Sequence, residues 1–104
     1  MFSFLIPTCD YTCYKLVYDL HAQAERLGLP YEIIVAEDGS RSQVNIIANH
    51  KITELSHCRH IINKENKGRA AICNQLAREA QHDWIVIIDS DAGVDNPDYV
   101  RNYY

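Results

Sequence analysis

No run in the sequence approaches the ~20 consecutive apolar residues that a membrane-spanning helix needs. The first residues, Met1-Phe2-Ser3-Phe4-Leu5-Ile6, have neither a basic region nor an extended apolar core, so they do not read as a signal peptide. No Gly-x-Gly-x-x-Gly follows the first apolar run, which disfavours a dinucleotide-binding domain. No Gly-Lys-Ser or Gly-Lys-Thr occurs, which removes a P-loop. A basic excess is missing too: the formal net charge is −4, so no broad nucleic-acid surface is expected. There is no internal repeat, low-complexity stretch or linker, and 104 residues suit one small domain rather than two cores. The expected location is cytosolic, or the inner face of a membrane for a full-length protein.

Paired cysteine spacing is absent as well. Cys9, Cys13, Cys58 and Cys73 form no Cys-x-x-Cys. Cys58 alone has histidine neighbours, His57 and His60, which makes a metal cluster conceivable. The plainer reading is four reduced thiols, some of them small core residues.

What is present is a regular alternation of strand and helix signals. Phe2 to Ile6 reads as a strand closed by Pro7, which cannot donate to a ladder. Asp10 or Thr12 can cap a helix whose apolar positions 13, 16, 17, 20, 24 and 27 share one face. Gly28 suits the left-handed residue that ends it. Tyr31 to Ala36 is a second strand, followed by Glu37-Asp38-Gly39-Ser40. Val44, Ile47, Ala48, Ile52 and Leu55 give a second helical stripe, and Arg59 to Asn63 a third strand. Ile72, Cys73, Leu76, Ala77 and Ala80 form a third apolar helix face. Trp84-Ile85-Val86-Ile87-Ile88 is short, rich in β-branched residues and reads as a strand buried on both faces. The order predicts an α/β fold with a Rossmann-like parallel sheet, strands in the order 3-2-1-4 and helices on both faces.

In such a sheet every strand ends at one edge, where open α/β folds bind ligands. That edge would carry Pro7-Thr8, Glu37-Asp38-Gly39-Ser40, Asn66-Lys67-Gly68-Arg69 and Asp89-Ser90-Asp91. Asp38 can accept from a base N–H, or serve only as a turn residue. Gly68 opens a helix whose free N–H groups favour a phosphate, with Lys67 and Arg69 adding charge; alternatively these are a solvated helix start. Asp89 and Asp91 leave one strand end on the same side. Such hard oxygen ligands suit Mg²⁺ or Mn²⁺ carrying a diphosphate, although turn and capping roles also explain them.

Phe4-Leu5-Ile6-Pro7-Thr8, Glu32-Ile33-Ile34-Val35 with Glu37-Asp38-Gly39-Ser40, Asn66-Lys67-Gly68-Arg69-Ala70-Ala71-Ile72-Cys73-Asn74 and Trp84 to Asp91 together resemble family 2 glycosyltransferases. The resemblance spans nearly the whole chain. It implies the A-type glycosyltransferase fold and transfer of a sugar from a nucleotide-diphosphate sugar to a saccharide or other hydroxyl acceptor. It also implies that Thr8 lies against the base and Asp38 bonds it, with Pro7, Gly68 and Arg69 also binding the nucleotide. Asp89 would sit near the ribose or sugar, and Asp91 would hold the Mn²⁺ or Mg²⁺. Ala36-Glu37-Asp38 departs from the more usual pair of aspartates. The family's second half, with the acceptor site and general base, is not in these residues. Residues 1–104 are therefore expected to be one donor-binding domain, inactive in transfer alone.

Two other classes compete. One is a nucleotide-binding or assembly module without turnover. The other is a haloacid dehalogenase-type phosphatase, whose Asp-x-Asp follows the first strand of its sheet, whereas here three strand–helix units come first. A helix begun at Pro97 would gather Tyr99, Val100, Tyr103 and Tyr104, so self-association as a symmetric dimer is expected through it or the Trp84 strand.

Overall fold

Two strands that are buried along their whole length set the architecture. A computed structural model of the chain describes residues 2–9, 12–28, 30–82 and 84–88. Phe2–Thr8 (β1) and Tyr31–Asp38 (β2) bury every residue, as strands covered on both faces do. They run parallel, with Phe2 opposite Tyr31 and Thr8 opposite Glu37. Cys58–Asn63 (β3) pairs with β2, and Trp84–Ile87 (β4) pairs with β1, both in parallel. The order is β3-β2-β1-β4, as the sequence predicts. The fold is α/β, a parallel sheet with helices on both faces.

Alternation along the strands divides the core in two. Phe4, Ile6, Ile33 and Val35 pack on one face with Leu16, Val17, Leu20 and Ala24 of the helix Tyr14–Leu27 (α1) and with Ile52. Leu5, Ile34 and Ala36 pack on the other face with Ile72 and Leu76 of Arg69–Glu79 (α3). Between β2 and β3 lie Gln43–His50 (α2) and a single 3₁₀ turn, Lys51–Glu54. Gly28 closes α1 at φ 69°, its N–H bonding the carbonyls of Ala24 and Glu25.

Several expectations are corrected. Pro7 lies inside β1 rather than ending it. Phe2 N–H points to the β2 side, bonding Pro30 O, so by alternation the donor that Pro7 lacks would point toward β4. That is past the last β1–β4 pair, Leu5 with Ile87, so β2 loses nothing. β2 likewise continues through Glu37 and Asp38. Thr12 does not cap α1: the cap position is Cys13, which makes no side-chain cap bond. Its N–H is accepted instead by Asn49 Oδ1 of α2, at 2.7 Å. Asp10 lies outside the described residues.

The stripe expected over Val44 to Leu55 faces the core only past α2, where Ile52 is buried and Leu55 packs beside it; Val44 and Ile47 on α2 are 76% and 64% exposed. The buried residue of α2 is Asn49, because the helix meets a buried polar cluster rather than an apolar floor. Ala77 of α3 is exposed too. β4 is not buried on both faces: Trp84, Ile85 and Ile87 are 64%, 44% and 46% exposed. The physical reason is position, since β4 is an edge strand of the sheet among the described residues. The helix expected from Pro97 lies outside them.

At the amino-terminal edge a polar clasp joins the strands. Glu32 accepts from Ser3 Oγ (2.7 Å), from Arg59 Nη2 (3.3 Å) and from the Gln81 N–H. Arg59 continues to the carbonyl and carboxylate of Glu79 at the end of α3. An open cavity of about 470 Å³ adjoins this clasp, lined in part by Tyr31, His57, Cys58 and His82. No helix among the described residues is long and apolar enough to cross a membrane.

Candidate functional site

The carboxyl ends of β1, β2 and β3 finish in step. Thr8 stands opposite Glu37 and Asp38 opposite Asn63. Pro7, Thr8 and Asp38 are all buried, and Cys9 just beyond is exposed. Successive side chains face opposite ways, so Glu37 looks toward α1 and α2 while Asp38 looks toward α3.

Asp38 fastens the start of α3 to the end of β2. Its Oδ1 accepts the Lys67 N–H at 2.6 Å and its Oδ2 the Gly68 N–H at 3.1 Å. Asn66 completes the joint: its Nδ2 donates to the Asp38 carbonyl at 3.0 Å, and its Oδ1 also accepts from Gly68 N–H. The turn at Gly39 allows this approach. Gly39 has φ 72°, and a Cβ there would stand 2.5 Å from Asn66 N, so no other residue fits without displacement.

Pro7, Thr8, Asp38 and Gly68 are thus placed at one edge, as the sequence suggests. Arg69 is the first residue of α3. The Gly68 N–H, expected to meet a phosphate, is already engaged by Asp38 and Asn66. Lys67 turns its ammonium to Gln75 Oε1, 3.4 Å away. The N–H groups of Arg69, Ala70 and Ala71 precede the first intrahelical bond, from Ile72 N–H to Gly68 O, and have no partner within the helix. Each Asp38 oxygen keeps a second lone pair for an outside donor.

Behind this edge lies a cluster that the sequence reading missed. Glu37 is fully buried and accepts from Ser40 Oγ, from Asn49 Nδ2 (2.9 Å) and from His60 Nε2 (2.8 Å). His60 Nδ1 in turn lies 3.1 Å from His50 Nδ1. Strand register was the available signal: His60 pairs with Val35, which shares a sheet face with Glu37. Asn66 is legible as part of the Asn66-Lys67-Gly68-Arg69 motif, but not as the partner of Asp38. The cluster of His57, Cys58 and His60 is not formed. His57 packs on the Tyr31 ring and His60 is given to Glu37, and no group of three or more metal-binding side chains occurs among the described residues. Asp89 and Asp91 lie outside them. Ile88, just before, is buried and bonds Leu5 O through its N–H at 2.9 Å.

The family model for glycosyl transferase family 2 matches residues 3–101. The chain belongs to that family. Among solved structures, the mannosyltransferase PcManGT from Pyrobaculum calidifontis, in complex with GDP-Man and Mn²⁺, is similar with a TM-score of 0.74 at 20% identity. The match covers 97% of this chain and 30% of that one. TarS 1–349 from S. aureus is similar with a TM-score of 0.72 at 21% identity, over 98% of this chain and 30% of that one. No curated protein matches the chain. At these identities the likeness is one of fold, and this family 2 chain spans about 30% of the length of either structure.

Proposed function

We propose that this family 2 domain binds the nucleotide of a nucleotide-diphosphate sugar, as the donor half of a sugar transferase. The observation that carries the reading is Asp38. A buried carboxylate at a strand end docks the head of α3 and keeps acceptor capacity beside Thr8, at the edge where α/β sheets take ligands. In this reading Pro7 and Thr8 pack against the base and Asp38 accepts from one of its N–H groups. Gly68 shapes the turn, and Arg69 with the free N–H groups of the α3 head supplies positive potential. Asp89 would contact the ribose or sugar. The hard carboxylate of Asp91 would hold Mn²⁺ or Mg²⁺, and such an ion neutralises charge on a departing diphosphate. Inverting transfer to an acceptor hydroxyl needs a general base, which this reading assigns to a partner half beyond these residues.

Calorimetry with UDP and with GDP, each with and without Mn²⁺, tests the reading. Binding is expected for at least one of them, weakened by Asp91→Ala only when metal is present. Thr8→Val, which keeps the shape of a buried side chain, should weaken binding about tenfold or less, in line with one lost polar contact. No measurable binding of any nucleoside diphosphate would overturn the proposal. Binding without transfer in any longer chain would instead favour a module with no turnover.

A further inference from the structure

The Glu37 cluster has no part in the contacts above, yet it brackets them. Ser40 Oγ donates back to Glu37, closing a short loop around Asp38 and Gly39. The path of those two residues is therefore set from behind by Glu37. Asn49, the second donor to Glu37, also receives the Cys13 N–H, so one carboxylate links the ends of β2, the start of α1 and the end of α2.

The third donor brings a proton count. Glu37 and His60 side chains are both fully buried, so an ionised Glu37 requires the proton on His60 Nε2. The two Nδ1 atoms of His60 and His50, 3.1 Å apart, can then share one proton. With both rings neutral, His50 donates and His60 accepts. One added proton is accommodated, since a charged His60 donates to the lone pair of His50. A second proton puts two N–H groups face to face, and the contact cannot hold. His50 is exposed and is the ring free to leave. Histidine charge changes between about pH 5 and 8 in general. Of the neighbouring groups, Asn49 is neutral and donates to Glu37, and Lys51 and Glu54 of the adjoining 3₁₀ turn are exposed. The Cys13 thiol is pushed up to about 12 by burial and by Glu37, so it stays neutral throughout.

We infer that Glu37 is a positioning residue for the Asp38–Ser40 loop, and that charge arriving on His60, whose bond to Glu37 does not depend on His50, carries the pair's response to acid through that carboxylate to the loop. The inference deepens the nucleotide reading and rests on it for the ligand, though not for the loop.

The test is therefore read twice on the full chain. Amide resonances of Gly39 and Ser40 in the free protein are followed from pH 8 to pH 5, in wild type and in His50→Ala. A transition in wild type that His50→Ala removes is expected. Calorimetry with UDP, or GDP, is then run at both ends of that range. A nucleoside diphosphate titrates here itself, so the quantity read is the ratio of wild-type to His50→Ala affinity, in which that effect cancels. The ratio should change about fivefold on acidification, the size of one disturbed hydrogen-bonded contact. Glu37→Gln should weaken binding at neutral pH with the fold retained by circular dichroism. If that variant fails to fold, the wild-type and His50→Ala comparison decides alone. Gly39 and Ser40 amides that do not respond to pH, or that respond equally in His50→Ala, would overturn the inference. Responsive amides in a chain that binds no nucleotide would sink the nucleotide reading and leave the loop coupling standing.

Discussion

Asp38 and Glu37 are neighbours in sequence with opposite tasks. Asp38 keeps oxygen lone pairs beside the candidate site, whereas Glu37 is saturated by three donors in the interior. The sequence made Asp38 legible because a carboxylate before glycine at a strand end is a strong local signal. Glu37 was not legible, because its partners are Asn49 and His60, brought together only by packing. The same burial fixes the chemistry of two thiols. Cys13 is pushed up to about 12 by burial first and by the Glu37 charge second, against a lowering bond to its own backbone. Burial likewise pushes Cys58 up to about 12, helped by Glu25. Both should resist iodoacetamide at pH 8 in the native protein, while the exposed Cys9 is alkylated, as mass spectrometry of the labelled peptides would report. Their ordinary value is 9.0, so the unfolded chain loses these protons first and stability should fall as pH rises from about 9 to about 12. Equal labelling of Cys9 and Cys13 would contradict this.

Among the elements, α1 and α3 show how far periodicity reaches, and α2 shows where it stops. Of the positions on the expected α1 face, 13, 16, 17, 20 and 24 are buried and Leu27 is half-buried, with Gly28 at the end, because that helix lies on an apolar floor; only the buried Gln23 escapes the pattern. On α2 the same rule selects Val44 and Ile47, which are exposed, since the floor there is Glu37 and the helix turns Asn49 inward. A polar residue on a buried face is invisible to a rule that sorts by hydrophobicity. Val44→Lys should accordingly change stability by less than about 0.5 kcal/mol. Ile52→Ala, at a fully buried position just past α2, should cost about 2–4 kcal/mol in urea unfolding. Comparable losses for the two would mean that α2 packs differently. β4 repeats the lesson: its apolar run reads as doubly covered, and only the topology says that it is an edge among the described residues.

At the scale of the whole molecule, the two edges of the sheet are divided between holding and presenting. Glu32 lies at the holding edge. Burial raises its pKa, but the Gln81 N–H, the Ser3 hydroxyl and Arg59 together bring it below the ordinary carboxylate range. A lowered folded value means that the stabilisation is full above the unfolded pKa and is lost as pH falls through the folded one. Glu32→Gln should therefore cost about 1–3 kcal/mol at neutral pH, with the Arg59 share reduced by exposure. The cost should shrink in acid, as denaturant curves at two pH values would reveal; a deficit that does not depend on pH would argue against the charged form. The family's fold was readable across this scale because each strand and helix signals itself locally and parallel crossovers leave few ways to connect them.

The strand order also fixes a timetable. Of the four described strands β1 is made first, yet one of its two neighbours, β4, is paired to it from Phe2 to Trp84, 82 residues later. At about 5–20 residues per second, synthesis leaves that side of β1 waiting roughly 4–16 s after β1 itself is made. During that interval β1, β2 and α1 can already associate, while one of the two most deeply buried strands of the finished molecule carries an open row of hydrogen-bonding groups. The exposure of β1 itself is thus confined to synthesis, and it ends when Trp84 to Ile87 pair with it.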